Sequence, residues 1–554
     1  MDSGFFFERN LLALSQSDPP LCARFSGAET TLGRYQFVES RSGQPIPALL
    51  DSSGAAHPLH SLVDPQKEGR RLVSTLGNEG FIVIFGLGGA FHVQAALERP
   101  ETSCVTVIDF DINGVAELLA SREYIGIFND PRFRLLVDPG AEALEKHLLE
   151  RYKPAICGGI AVLPLRTRTD LGQPLFNQTA LHIKSAIEAV SADYSVQAYF
   201  GQRWFSNIIR NLSRAEQILP ALPPIRNAAI CAAGPSLDGA IPLLKEKKER
   251  PFIIAADTSL PTLLDADLEP DAVVSIDCQH ISYYHFMAGL PEHTLLFLDL
   301  ASPPLVASQS QRPYFFSGGH PLTRYLSRLW RPIPELDTSG ANVAYAALSL
   351  AEYLGARNIE LYGADYSYPE GITYARGSYI RCLFENRQTR KDPLENLHSA
   401  FLYRTPLSKR SREDRSWYYE TKALAMYRKR LEEKAFSMTA RISAVPGRGA
   451  PLQLKTLKGF NSNMEPLRMF AHGKASMAAA EFLRRYRNGI AALPALTGPA
   501  PAYLERISRE ENIIFTTLLP SMAAIKRRHP DLSIPETAQT ARDYSVEAID
   551  RVIG

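Results

Sequence analysis

Short, continuous apolar runs recur along the chain. Each ends in small or acidic residues, and amphipathic stretches lie between them. Phe81-Ile82-Val83-Ile84-Phe85 and Cys104-Val105-Thr106-Val107-Ile108 form the first pair. Both are too short for a helix and apolar on both faces, the pattern of a buried parallel strand. Between them Gly86-Leu87-Gly88-Gly89-Ala90-Phe91-His92 opens a helix to about residue 98, and Asp109 and Asp111 close the second strand. This predicts a βαβ unit with a glycine-rich first turn and an acid on the second strand. The turn is not a full GxGxxG, so a scaffolding role outweighs a dinucleotide or methyl-donor site.

A second series begins at Ile225, behind a linker punctuated by Pro220, Pro223 and Pro224. Strands are predicted over 228–232, 252–256, 272–276, 295–298 and 359–362, with helices over 239–248 and 341–355. Such alternation implies a doubly wound parallel sheet. Ahead of both units, residues 1–70 read as a small β-rich segment leading to a helix over 66–76 that Gly77 ends. Beyond about 380 the chain turns polar and basic. Helices are then predicted over 418–436, 475–493, 503–528 and 536–553, separated by Pro/Gly clusters at 445–451 and 494–501. The expected domains are 1–70, 71–205, 206–405 and 406–554. The fold class is α/β, two Rossmann-like units followed by a helical C-terminal domain.

Composition adds little to this picture. A chain of 554 residues is too long for one core. A net charge of +2 gives no drive toward nucleic acid, and the basic runs at 245–248 and 526–528 read as solvated faces. The six cysteines form no CxxC or zinc spacing and read as free, mostly buried thiols. No run approaches the roughly 18 apolar residues of a membrane helix, so a cytoplasmic protein without membrane insertion is expected. Asp265-Ala266-Asp267 and Asp109-Phe110-Asp111 match the letters of a metal motif, but the first sits between a helix and a strand and the second belongs to the first βαβ unit, and no metal site is assigned.

Sheets of this type bind ligands beyond the carboxyl ends of their strands. There the second unit collects Gly234, Pro235 and Ser236; Asp257 and Thr258; Asp277; Asp299; and Gly363, Asp365, Tyr366 and Tyr368. Thr338-Ser339-Gly340 precedes the 341–355 helix, where a helix start offers free N–H groups to a phosphate. Taken singly, Gly-Pro-Ser is a common capping turn and the aspartates close turns. Their joint occurrence points to a nucleotide site.

The runs Cys231–Asp238, Ala255–Thr258 and Thr338–Asp365 resemble the motility-associated factor (Maf) flagellin glycosyltransferases, whose central domain is called MptE-like. Phe6-Phe7-Glu8-Arg9-Asn10, the stretch from His60 to Glu68, and Gly86–His92 agree with them, so the resemblance covers roughly 1–460. The central unit also resembles bacterial sialyltransferases of GT-A type. That resemblance implies nucleotide contacts from Gly234, Pro235, Ser236 and Leu237. Asp257 or Thr258 would lie at the cytidine or sugar. Thr338, Ser339 and Gly340 would lie at the nucleotide, with Gly363 and Asp365 at a strand end; Asp277 and Asn342 join the binding candidates by their positions at a strand end and a helix entry. A tyrosine pair holding the leaving phosphate maps to Tyr366 or Ser367 and to Tyr374. The general base maps to His398, with His320 as the second candidate. Ala233 stands where sialyltransferases carry Asn, and Thr373-Tyr374-Ala375 where many Maf proteins carry Thr-His-Ala.

The implied activity is transfer of a nonulosonic sugar from a CMP-activated donor to Ser/Thr hydroxyls of flagellin. It needs no cofactor and no divalent metal, because hydroxyls and N–H groups can stabilise departing CMP. Flagellin is the implied partner, held by the basic stretch 386–415 and the C-terminal helices, and a homo-oligomer is left open. Two other readings remain. One is a pterin diphosphokinase using ATP and magnesium on Asp257, Asp277 and Asp365. The other is a non-catalytic flagellar assembly factor.

Overall fold

The computed structural model describes residues 3–412, 415–454, 470–498 and 500–554. Residues 413 and 414 of the basic stretch, and the end of the Maf resemblance near 460, lie outside the described residues. Two compact units are present: residues 1–201 with 492–544, and residues 202–491 with 545–554.

The first unit starts with helices rather than strands. Ser3–Ser17 and Pro19–Arg24 precede a three-stranded antiparallel sheet of Tyr35–Glu39, Pro45–Leu50 and Ala56–Pro58. The expected β-rich start is corrected here. Asn10, Ala13 and Leu14 recur at helical spacing on one buried face, a pattern that the flanking Ser and Gly residues obscure. Its Rossmann-like sheet is parallel and four-stranded, in the order Phe133–Val137, Cys104–Asp109, Glu79–Phe85, Gly159–Pro164. Asp109 is buried at the end of its strand. It accepts from Leu87 N at 2.9 Å, and from Arg168 Nε at 3.1 Å and Nη2 at 2.7 Å. The acid therefore ties the glycine turn to Arg168. Asp111 caps the helix Ile112–Ser121.

A helix of 43 residues, α1 (Gln173–Ala215), runs across the domain boundary expected at 205/206. Inside it, Gly201 lets the backbone of Pro520 approach so closely that an added Cβ would stand 1.8 Å from the Pro520 carbonyl oxygen. That glycine marks a crossing of backbones, not a helix end.

The second unit holds a seven-stranded parallel sheet. Its strands are β1 (Asn227–Cys231), β2 (Phe252–Ala256), β3 (Ala272–Ser275), β4 (Leu295–Asp299), β5 (Tyr314–Phe316), β6 (Asn358–Tyr362) and β7 (Arg441–Ala444), in the order β5-β4-β3-β2-β1-β6-β7. Winding runs outward from β1 to β5 and then restarts on the other side of β1 with β6. The switch in strand order therefore lies between β1 and β6, where such sheets open a crevice. β5 and β7 escape sequence reading because they are short edge strands of 3 and 4 residues. β7 also comes from the stretch expected to be helical. So do two strands of a small antiparallel sheet, Trp417–Thr421 and Leu407–Ser411, which Tyr368–Pro369 completes. Residues 417–421 form its middle strand, and the following helix starts only at Lys422, capped by the Thr421 hydroxyl.

Three helices bear on the site: α2 (Leu237–Lys245), α3 (Val343–Tyr353) and α4 (Leu394–Leu402). α3 lies on the sheet with nearly every side chain buried. One turn apart on α1, Asn207 donates to the carbonyls of Cys278 and Ala301, and Asn211 to those of Leu300 and Ser302. Four buried carbonyls of the loops after β3 and β4 are thereby satisfied.

Candidate functional site

At the β1/β6 switch, the two loops interlock. Gly234 N donates to the Gly363 carbonyl at 2.9 Å. A Cβ on Gly234 would meet Asp365 Oδ2 and the Gly363 oxygen at 2.4 Å each, and Gly363 has a φ of +63°. Both glycines are required by this crossing. Pro235 and Leu237 are buried beneath it. Asp365 is buried and accepts from Ser236 N at 2.8 Å and Gly449 N at 3.1 Å. Burial lifts its carboxyl above the ordinary range against these hydrogen bonds. Ser236 sits at the N-cap of α2 without making a capping bond; its hydroxyl accepts from Arg448 N at 2.7 Å instead.

A segment that sequence reading treated only as a Pro/Gly separator, 445–451, thus closes over the Gly-Pro-Ser turn. Arg412 fastens it, donating to the carbonyls of Gly447 at 2.9 Å and Gly449 at 2.6 Å. A polar cavity of about 200 Å³ opens here, lined by Ser236, Asp365, Arg412, Gly447 and Gly449 among others.

The Thr338-Ser339-Gly340 turn is built around Asp337. Its Oδ1 accepts from Ser339 N and Oγ, and its Oδ2 from the Tyr345 hydroxyl at 2.6 Å. Burial opposes ionisation of Asp337, but the bonds from Ser339 and Tyr345 outweigh it and hold the carboxyl low. A Cβ on Gly340 would stand 2.1 Å from the Tyr345 ring, so glycine is needed there. The cap of α3 is Asn342, whose side chain accepts from Tyr345 N, and not the Thr-Ser pair. Ser339 is exposed and Thr338 half-buried, with the Thr338 hydroxyl on the Gly318 carbonyl at 3.3 Å.

Beyond β2, Asp257 is 1% exposed; it accepts from the Ser275 hydroxyl at 2.6 Å and from Thr258 N at 2.7 Å. Burial raises its carboxyl, with Asp277 adding to the rise and His285 and Ser275 opposing it. Asp277 is half-buried and holds Gln279 N at 2.8 Å. The Tyr374 ring packs edge-on against Phe401. Burial, aided by Tyr368 and Asp257, pushes its phenol up to about 12, so it stays a hydrogen-bond donor.

Next to Tyr374 in the chain, the Thr373 hydroxyl meets His398 Nδ1 at 3.0 Å. His398 is buried on α4 against the edge of Phe384. Burial, then the Arg381 charge, holds its imidazole below the ordinary 6.5, so it is neutral near pH 7. His320 belongs to a separate cluster. Its ring lies 4.4 Å from that of Trp204, and its Nε2 is 3.5 Å from Asp299 Oδ1.

Tertiary structure therefore links His398 with Thr373, the chain neighbour of Tyr374, while Asp257 is bonded to Ser275. It joins Gly234, Ser236, Gly363 and Asp365 in a second group, and Asp337, Ser339 and Asn342 in a third. Among the described residues, Asp257, Asp277 and Asp365 do not gather within 4.8 Å of one another. Sequence reading missed His285, Arg412, Trp204 and the 445–451 segment; the last carried a signal in its Pro-Gly-Arg-Gly run.

Among known proteins, the family described as 6-hydroxymethylpterin diphosphokinase MptE-like matches residues 202–371, which hold the ends of β1 to β6 but neither Tyr374, His398 nor the segment after β7. Uncharacterized proteins of Treponema pallidum (strain Nichols) are similar in sequence. One is 36% identical over 126 residues, 22% of this chain and 45% of the relative. Another is 33% identical over 149 residues, 26% of this chain and 71% of the relative. The chain thus spans about half the length of the first of these relatives and more of the second. In structure it is similar to the MAf glycosyltransferase from Magnetospirillum magneticum AMB-1, with a TM-score of 0.58 at 12% identity, over 100% of this chain and 91% of that one. The chain belongs to the MptE-like family and has the fold of a Maf protein.

Proposed function

We propose that the second unit is a glycosyltransferase that moves a nonulosonic, sialic-acid-like sugar from a CMP-activated donor to Ser or Thr hydroxyls of flagellin, in the cytoplasm, in support of flagellar assembly and motility. One observation carries the reading: a neutral imidazole, His398, is oriented by Thr373, whose neighbour in the chain, Tyr374, keeps its phenol protonated. Such a pair suits an inverting displacement. The acceptor oxygen attacks the anomeric carbon as the bond from that carbon to the phosphate oxygen of CMP breaks. His398 takes the hydroxyl proton, and the Tyr374 hydroxyl donates to the departing phosphate. His320, paired with Asp299, is the alternative base. The fold shared with a MAf glycosyltransferase supports the class of reaction. The scattered Asp257, Asp277 and Asp365 speak against the magnesium-dependent kinase reading.

The test is calorimetric titration with CMP and with ATP, each with and without magnesium, followed by transfer assays. CMP binding without metal, weakened in Ser339→Ala, is expected, as is loss of transfer in His398→Ala but not in His320→Ala. ATP binding that needs magnesium, with no response to CMP, overturns the proposal. Loss of transfer only in His320→Ala moves the base to His320.

A further inference from the structure

The first unit holds a cluster that the transfer reaction does not use: His60, Glu68 and His92. Their ligand atoms all lie within 4.8 Å of one another. Glu68 sits on the helix Pro65–Val73 and His92 on Phe91–Glu98. The two helices approach closely beside Gly69, where a Cβ would stand 2.6 Å from the Phe91 carbonyl oxygen. His60 comes from the chain before the first helix, and its ring packs edge-on to both Phe91 and His92.

The distances within the cluster carry the argument. Glu68 Oε2 lies 3.7 Å from His60 Nδ1 and 3.8 Å from His92 Nε2. Both gaps are too long for hydrogen bonds. They are close to the separation of neighbouring ligands, about 3.4 Å, around a tetrahedral centre with bonds of about 2.1 Å. His60 and His92 are 5% and 6% exposed. His60 Nδ1 and both nitrogens of His92 are buried without a hydrogen-bond partner. Orphaned buried nitrogens of this kind are costly unless something binds them. Glu68 is more open, with a side-chain exposure of 38%, and offers a way in from solvent.

We propose that His60 Nδ1, the Glu68 carboxylate and His92 Nε2 form a binding site for a divalent transition metal of the zinc class, with solvent completing the shell. Two imidazoles and one carboxylate are a donor set that such ions favour.

In the unliganded geometry, His60 Nε2 accepts from Gly89 N at 2.9 Å, which keeps the ring proton on Nδ1. Metal binding moves that proton to Nε2, and the ring then needs an acceptor. Glycine on both sides of the Gly88–Gly89 peptide, the first at a φ of +50°, permits it to turn its carbonyl to the ring, at the loss of the bond that carbonyl accepts from the Tyr124 hydroxyl at 3.1 Å. A backbone carbonyl on the outer imidazole N–H is the usual support of a metal-bound histidine. Glu68 keeps its bond from Ser61 N at 2.9 Å.

The experiment uses the full, untagged chain after dialysis against chelator. Cobalt(II) is titrated as a visible-spectrum probe, and zinc is then added to displace it. The expected result is a single saturable equivalent with d–d bands, weakened about a hundredfold or more in His92→Ala and in the near-isosteric Glu68→Gln. In parallel, zinc should slow hydrogen exchange in the peptides around residues 60–68 and 86–93 of the wild type only. Absence of the bands, or the same bands in both variants, overturns the proposal. Far-UV circular dichroism of Glu68→Gln shows that loss of binding is not loss of fold.

Discussion

Asp365→Ala tests whether the segment 445–451 is held down by one buried carboxylate. In the wild type, Asp365 Oδ2 accepts from Ser236 N at 2.8 Å and Oδ1 from Gly449 N at 3.1 Å. Alanine keeps the Cβ that packs on Gly234 and Gly449, so the loss is confined to two acceptors. Hydrogen bonds to a charged acceptor contribute about 1.5–3 kcal/mol each. Part of this is offset, because the variant no longer buries a carboxylate whose ionisation burial already opposes. The net cost to local closure is about 2–4 kcal/mol, or roughly thirty- to seven-hundredfold in the opening equilibrium. Hydrogen-exchange mass spectrometry reads this directly. Amides of Gly447–Ala450 and of the turn 233–237 should exchange faster by that factor, while the first unit stays unchanged. If exchange in 445–451 is unaltered, its other bonds, from Arg412, from Arg448 N to Ser236 and from Ala450 N to the Asp365 carbonyl and the Ser367 hydroxyl, hold the segment and the reasoning fails. If exchange rises equally across the chain, the variant has destabilised the fold and the local account is equally refuted.

A pH profile tests the base. Burial and Arg381 hold His398 below 6.5. A depressed imidazole stays neutral until pH falls through its folded value, and its contribution to stability is lost over that same window. Transfer rates should therefore stay flat through pH 6.5 and fall only below it, and Arg381→Gln should move this acid limb upward; an acid limb unmoved by the variant rules His398 out. In the first unit, Gly201→Ala forces a methyl group against the Pro520 backbone, which cannot yield cheaply. A loss of at least about 1–3 kcal/mol is expected, measured as a lower melting temperature, and a variant that melts like the wild type would contradict the close crossing.

Much of the second unit is legible in the sequence, because five of its strands are continuous apolar runs that can only be buried on both faces. The strand ends that gather polar residues follow from the same runs. The sequence also marks Gly234, Gly340 and Gly363 as special, but not why. Local pattern cannot distinguish a glycine that admits a phosphate from one that admits the protein's own Asp365 or Tyr345. Only the tertiary structure shows the second case. It likewise decides which histidine meets which partner, since His398 and Thr373 are 25 residues apart and His320 and Asp299 are 21 apart. Edge strands as short as β5 and β7 have too few residues to show a period, so their place in the sheet is set by the neighbours that pair with them. The chain's apolar spacing determined the buried strands at the centre of each parallel sheet. Long-range packing alone brought His60, Glu68 and His92 together, because contacts between distant segments depend on shape and burial that no local pattern encodes.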